Sequence, residues 1–219
     1  MQNMKLPKLV IFDMDGLIFD TERLFMEKKA IILEKYGFEA RESDYLQTIG
    51  LAGIQLSQKL AELYGADYPA QEITDQTRAL VNAYMEQHGP DVKPGIPALL
   101  QWLTTQGVPC VVASSTHSTF VQKYLKLAHL DSFFDCIIGG EAVSRSKPNP
   151  DIFLLACEKT GVKPEDALVF EDSENGVRAA DAAHIPVICI PDLKQPSPEI
   201  RRLCFAVCEC ADEVIPFFL

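Results

Sequence analysis

A run of four apolar residues that leads straight into two aspartates, from Leu9 to Asp15, constrains this chain more than any other stretch. An unbroken apolar run of this length predicts a strand buried on both faces, as in a parallel sheet. Residues two apart on an extended chain point the same way, so Asp13 and Asp15 address one small space. Gly16 then permits a turn. Open α/β sheets place their chemistry at such strand ends, and the alternative interpretation is an acidic surface turn.

Composition limits the possible partners. With 219 residues and 47% hydrophobic content, the chain can bury a sizeable core. The formal net charge of −11 argues against nucleic acid and anionic membranes as partners, but leaves room for a small anionic substrate held by local cations. The amino terminus lacks the apolar core of a signal peptide. Seven scattered cysteines suggest buried thiols in a reducing cytoplasm, and a metal site at Cys204, Cys208 and Cys210 is the less favoured interpretation. We expect a cytoplasmic monomer.

The segment after the first strand has helical periodicity and no strand pattern. Apolar residues recur at helical spacing from Thr21 to Gly37, and further helices are predicted from Ser43 to Gly50, around Leu56–Tyr64 and from Ala70 to Gly89. We therefore predict an inserted all-helical domain at residues 19–89. Residues 1–18 and 90–219 would form the core.

Strands and helices alternate from Pro94 onward. Strands are predicted at residues 109–113, 136–138, 167–170 and 186–190, with a short one near Phe205. This alternation predicts an α/β fold in which a doubly wound, mainly parallel, Rossmann-like sheet carries helices on both faces.

Polar residues fall where the predicted strands end. Ser114 and the pair Glu171-Asp172 follow apolar strands, as Asp13 does, and Lys147 lies in the loop after the third strand. Taken one at a time, Ser114 could cap the next helix, Glu171-Asp172 could be an acidic turn, and Lys147 could be a solvated loop lysine. Because parallel strands share one carboxyl edge, we expect all of them to converge there.

Clustered carboxylates repel one another unless a hard cation shares them, and Mg²⁺ prefers such oxygen ligands. A lysine and a hydroxyl add donors for a phosphoryl group. One carboxylate can act as a nucleophile and the other as a general acid and base, so the set points to phosphoryl transfer.

In chain order, four motifs resemble those of the haloacid dehalogenase-like hydrolase superfamily: Asp13-Met14-Asp15-Gly16, Ser114, Lys147-Pro148 and Glu171-Asp172-Ser173. The helical insert resembles that superfamily's cap domain. The nearest branch is the β-phosphoglucomutase-like phosphatases, which include sugar-phosphate and pseudouridine-phosphate phosphatases.

The resemblance implies a role for each motif residue. Asp13 would be the nucleophile and Asp15 the general acid and base. The phosphoryl group would be held by Ser114, Ser115 and Lys147. Mg²⁺ would be bound by the Asp13 carboxylate, the Asp15 main-chain carbonyl and Asp172, with Glu171 as a further candidate ligand.

Departures from the family pattern favour a phosphatase acting on a small phosphomonoester. Dehalogenases and phosphonate-cleaving members lack a carboxylate at the position of Asp15. Mutases carry a histidine where Phe25 stands and an arginine in the cap loop where Gly50-Leu51-Ala52-Gly53 stands. A phosphosugar mutase and an inactive binding protein on the same fold remain as alternatives. Receiver domains of signalling relays have similar groups in a different order and lack a helical insert.

The insert is expected to close over the site. Its two chain crossings, around Gly16–Phe19 and around His88–Pro90, contain glycine, which can absorb the angle change of a hinge. Closure would expel water and strengthen the interactions with the phosphoryl group. The loop Gly50–Gly53 would then contribute substrate preference.

Overall fold

A computed structural model describes residues 3–51 and 53–219, and these residues form two compact units. One unit contains the described residues of Met1–Asp20 and Pro90–Leu219, and the other those of Thr21–Gly89. Ala52, which belongs to the loop compared above with the mutase arginine, lies outside the described residues.

The first unit is built on a parallel sheet. Its strands are β1 (Leu9–Phe12), β2 (Cys110–Ala113), β3 (Cys136–Ile138), β4 (Ala167–Glu171), β5 (Val187–Cys189) and β6 (Ala206–Val207). Within the described residues these six strands form one sheet in the order β3-β2-β1-β4-β5-β6, and every neighbouring pair is parallel. The predicted fold class is therefore confirmed.

The strand order reverses beside β1. This strand pairs with β2 on one side and with β4 on the other, with Phe12 opposite Val112 and Phe170. The chain proceeds outward from β1 in one direction and then returns to build the other half. The carboxyl ends of β1 and β4 therefore flank the crevice at which open α/β sheets bind ligands.

The other long elements of the described chain are α-helices. In the second unit they are α1 (Thr21–Lys35), α2 (Glu42–Thr48), α3 (Gly53–Tyr64) and α4 (Ala70–His88). In the first unit they are α5 (Ile96–Thr105), α6 (Ser118–Leu127), α7 (Asp151–Thr160), α8 (Glu174–Ala182) and α9 (Pro198–Arg201). None of the helices among the described residues combines the length and apolarity needed to cross a bilayer.

Each unit has its own apolar core. Residues of β1, β2 and β4 are buried throughout, so the sheet is covered on both faces. On one face, Leu9 and Ile11 pack in a cluster with Phe153 of α7 and Val177 of α8. The helical unit buries a smaller cluster around Ile32, Leu33 and Ile73, against which aromatic side chains pack: Tyr36, Phe38, Tyr64 and Tyr68.

The cysteines were predicted to be buried thiols, and Cys136, Cys204 and Cys210 are only half-buried. Each of the seven is free, and four of them are buried: Cys110, Cys157, Cys189 and Cys208.

Candidate active site

Backbone hydrogen bonds to neighbouring strands fix the positions of Asp13 and Ser114. The Asp13 N–H donates to the Phe170 carbonyl at 3.0 Å, and the Ser114 N–H donates to the Ile138 carbonyl at 3.1 Å. Both residues therefore continue the ladder just beyond the ends of β1 and β2. Asp13, Ser114 and Glu171 are all buried. The structure thus brings residues from distant parts of the sequence to one edge of the sheet, as predicted.

Lys147 lies at the centre of this group. Its Nζ donates to Asp13 Oδ1 at 2.5 Å, to Glu171 Oε1 at 2.7 Å and to the Ala113 carbonyl at 3.2 Å. The side chain is only 7% exposed. A solvated loop lysine would not be buried between two carboxylates, so that interpretation is excluded.

The charged groups of this cluster shift one another's pKa values. Burial raises the pKa of Asp13 to about 7; the Lys147 ammonium opposes this rise, while the carboxylates of Glu171 and Asp15 add to it. Burial by itself would lower the pKa of Lys147, but Asp13 and Glu171 outweigh it and raise that pKa. The lysine therefore stays charged, and Asp13 is the acidic member that can take up a proton near neutral pH.

Glu171 is held by donors at both carboxylate oxygens. Lys147 binds Oε1, while Oε2 accepts from the Asp172 N–H at 3.0 Å, the Ser173 N–H at 3.0 Å and the Ser173 hydroxyl at 2.9 Å. The same Ser173 oxygen accepts from the Gly176 N–H and so caps α8. A Cβ at Gly176 would overlap the Glu171 carboxyl group. The start of α8 is therefore built around this buried glutamate.

A set of carboxylate oxygens fits a divalent metal. Asp13, Glu171 and Asp172 each place one oxygen so that all three lie within 4.8 Å of one another. Asp172 also packs against Gly16, where φ is +77° and a Cβ would overlap its carboxylate. Hard oxygen donors beside a close backbone approach suit Mg²⁺, so the residues present fit the metal that the sequence predicts.

Asp15 receives two hydroxyl donors. The Thr116 Oγ1 donates to Asp15 Oδ2 at 2.7 Å, and the Ser114 Oγ donates to the same oxygen at 3.3 Å. The sequence did not single out Thr116, although a hydroxyl residue two positions after Ser114 is a usable signal. It is the nearest donor to the predicted general acid.

Ser115, predicted to bind phosphate, is exposed beside this group. It lines a small cavity of about 100 Å³ together with Lys147, Ser146 and Gly140. The structure therefore places Ser115 next to the buried lysine without a described contact to the carboxylates.

A second ion pair near Gly16 was also missed by sequence analysis. Lys93 Nζ lies 2.5 Å from Asp192 Oδ1 and 4.0 Å from Asp20 Oδ1. A Cβ at Gly16 would lie 3.4 Å from Asp192 Oδ2. This pair therefore borders the turn that follows the two predicted catalytic aspartates.

Comparison with known proteins shows the family to which the chain is similar. Residues 10–190 match the family of haloacid dehalogenase-like hydrolases. A Drosophila melanogaster relative named "Probable pseudouridine-5'-phosphatase" is 38% identical over 83% of this chain and 80% of its own length. A Thermotoga maritima relative named "Phosphorylated carbohydrates phosphatase" is 29% identical over 80% of this chain and 81% of its own.

A solved structure from Thermotoga maritima, described as "putative beta-phosphoglucomutase", has a TM-score of 0.76 at 26% identity and covers 97% of both chains. These relatives lie in the branch that the motifs indicated. The match covers residues 10–190 and includes the buried cluster at the strand ends. The chain therefore belongs to the haloacid dehalogenase-like hydrolase family.

Proposed function

We propose that the chain is a Mg²⁺-dependent phosphatase that hydrolyses a small phosphomonoester through an aspartyl-phosphate on Asp13. One observation carries this proposal: a buried lysine binds Asp13 and Glu171 inside a carboxylate cluster at the strand-order reversal. A cation held at a nucleophile suits phosphoryl transfer, in which positioning and charge stabilisation supply most of the catalysis.

In the first step, an Asp13 carboxylate oxygen attacks phosphorus and the ester P–O bond breaks. Asp15 gives its proton to the leaving oxygen, so an alcohol departs. In the second step, a water attacks the same phosphorus, Asp15 takes up the water proton, and the Asp13 carboxylate is restored as phosphate leaves. Lys147 and Ser114 donate hydrogen bonds to the phosphoryl oxygens in both steps.

The Asp13 carboxylate, the Asp15 main-chain carbonyl and Asp172 are the residues that would hold Mg²⁺. The bound ion supplies charge neutralisation for the phosphoryl group. The Glu171 carboxylate already accepts four hydrogen bonds, from Lys147 and from the start of α8. These contacts suit a residue that fixes Lys147 and the helix start better than one that binds Mg²⁺ directly. We therefore propose Glu171 as a positioning residue.

The names of the relatives support a sugar or nucleoside phosphate as the substrate, and a polyol phosphate is a small phosphomonoester of the same kind. We propose that the helical unit serves as the cap that chooses among them. Phe25 favours hydrolysis over mutase activity, because an apolar ring cannot exchange protons with a sugar hydroxyl. Its ring packs instead with Tyr45, at a centroid distance of 6.4 Å.

The test is the activity of Asp13→Asn with p-nitrophenyl phosphate and Mg²⁺. We expect no turnover, because an amide is a poor nucleophile, while the exposed Asp131→Asn serves as a charge-matched control with wild-type activity. Trapping of a beryllium fluoride adduct at Asp13 in the wild-type protein would support the assignment directly. Activity of the Asp13 variant above about a tenth of the parent's would contradict it.

Product analysis separates the two activities. A sugar phosphate incubated with the wild-type protein should yield inorganic phosphate and free sugar. Formation of an isomeric sugar phosphate without phosphate release would favour the mutase instead.

A further inference from the structure

The hydrogen bonds of Asp15 are all on one side of its carboxylate. Among the described residues, both side-chain donors, Thr116 and Ser114, bind Oδ2, and no side-chain donor binds Oδ1. Asp15 is half-buried, so without these donors its side chain has room for other rotamers. The two hydroxyls hold Oδ2 and leave Oδ1 for proton exchange.

Ser114 cannot keep this contact during the reaction. A serine hydroxyl has a single proton to donate. Its oxygen already accepts from the Thr116 N–H at 3.0 Å, and its proton points to Asp15 at 3.3 Å. If Ser114 donates to a phosphoryl group, as the proposed function requires, the proton is withdrawn from Asp15. Thr116 is then the remaining side-chain donor to Asp15 within the described residues.

The backbone around Thr116 is suited to this task. Its N–H is bound by the Ser114 hydroxyl, and its carbonyl accepts from the Gly140 N–H at 3.2 Å. Gly140 itself lies so close to the Ser115 carbonyl that a Cβ there would overlap it. The threonine is thus fixed to the core on both sides, and its hydroxyl contact to Asp15, at 2.7 Å, is the shorter of the two.

We propose that Thr116 is a positioning residue that holds Asp15 in the orientation needed to protonate the leaving group and then to deprotonate water. This inference rests on the proposed function. Thr116 acts on Asp15, which transfers the proton, and not on the phosphoryl group. Loss of its hydroxyl should therefore slow the release of a poor leaving group more than that of a good one.

The experiment compares two esters of similar size whose leaving groups differ. Benzyl phosphate releases an alkoxide that needs a proton, whereas p-nitrophenyl phosphate releases a stabilised phenolate that needs one much less. The quantity compared is kcat/KM, because it covers only the steps up to formation of the aspartyl-phosphate. Thr116→Val should lower kcat/KM for benzyl phosphate about tenfold or more beyond its effect on p-nitrophenyl phosphate, as expected for loss of a hydrogen bond to a carboxyl group that becomes charged as its proton leaves.

Thr116→Ser keeps the hydroxyl and should restore the ratio of the two esters to near the wild-type value. Thr119→Val removes an exposed hydroxyl that contacts His117 rather than Asp15, and should leave the ratio unchanged. Thr116→Ala provides a second variant if the valine protein does not fold.

Equal losses for the two esters would overturn the inference, because that pattern indicates phosphoryl binding or a folding defect. An unchanged ratio in Thr116→Val and Thr116→Ala, or failure of serine to restore it, would do the same. Asp15→Asn tests the proposed function separately. If Asp15→Asn shows no preference for the better leaving group, Asp15 is not the general acid, and the proposed function fails at that step whatever Thr116 does.

Discussion

Lys147 is surrounded by one carboxylate more than its charge can balance. Asp13 and Glu171 both contact it. Burial raises the pKa of Asp13 to about 7, and the negative charges of Glu171 and Asp15 add to this rise. A divalent cation among the same oxygens would remove this imbalance. The metal-free protein therefore carries an electrostatic penalty at the residue that is proposed to attack phosphorus.

A pH dependence of stability follows from this raised pKa. The folded-state pKa of Asp13, about 7, lies above the ordinary value of 3.8. Protonation therefore favours the folded protein, and this stabilisation is complete at acidic pH below the ordinary value and is lost as pH rises through about 7. In chelator, the free energy of unfolding of the wild type should fall relative to that of Asp13→Asn between about pH 5 and pH 8, by on the order of a few kcal/mol. Urea unfolding of both proteins measures this, and a constant difference across the range would contradict it.

The junction of β4 and α8 couples the site to a secondary-structure element. Ser173 caps the helix through Gly176 and also donates to Glu171, so helix start and buried glutamate form one unit. Any change of volume at this turn is transmitted to Lys147 through Glu171.

Gly176→Ala tests this coupling. In an ordinary helix, alanine is more stable than glycine by roughly 0.5–1 kcal/mol. Here the added methyl group overlaps the Glu171 carboxyl group, so we expect a net loss of roughly 1–3 kcal/mol together with reduced activity. Ala182→Gly, at an exposed position of the same helix, is the control and should lower stability by no more than about 1 kcal/mol without affecting activity. Urea unfolding and phosphate release measure both effects. A stabilised Gly176→Ala protein would show that Glu171 has room to move.

The elements themselves could be predicted closely from apolar runs, with small differences at proline. Strands predicted to start at Pro109 and Pro186 begin at Cys110 and Val187. Both prolines take part in the ladder only as acceptors, from Val10 and Val169, because proline has no N–H to donate. The second helix, predicted to reach Gly50, ends at Thr48, and Gly50 adopts a φ of +81° in the turn beyond it.

The convergence of Asp13, Ser114, Lys147 and Glu171 was predictable because parallel strands end at one edge. For Thr116 the sequence offers only the spacing of its hydroxyl from Ser114, and that spacing does not tell a contact with Asp15 from a helix cap. The pair Lys93–Asp192 joins residues 99 positions apart in loops, where no periodicity indicates which way a side chain points.

At the scale of the molecule, the proposed division of labour gives the core the chemistry and the helical unit the choice of substrate. Gly53 provides a place to test this, because it begins α3 with a φ of +53°. Apart from its chain neighbours and the adjacent helix backbone, no atom of the described residues lies within 4 Å of a Cβ built there. Bulk can therefore be added within this unit without a local overlap, although any side chain is strained at that φ.

Gly53→Phe should alter the ranking among a panel of phosphorylated sugars, polyols and nucleosides more than the rate with p-nitrophenyl phosphate. Gly53→Ala is the matched control, since it carries the same backbone strain without the bulk, and its ranking should stay that of the wild type. Phosphate release across the panel is the measurement. Equal factors of loss for all substrates in Gly53→Phe would argue that this loop does not choose the substrate.

The core closes its own backbone across the place where the helical unit leaves it. Asp20 N–H donates to the Asp91 carbonyl and Lys93 N–H to the Ile18 carbonyl, both at 2.9 Å, and Phe19 bridges to Val92. The two chain segments that lead into and out of the helical unit are thus paired by backbone hydrogen bonds, as at the base of a hairpin. For a flexible segment, the free-energy cost of bringing the two ends together grows by only about 0.6 kcal/mol for each doubling of length. This backbone pairing holds the two ends of the helical segment together. The length of the segment can therefore change while the catalytic edge of the sheet keeps its register.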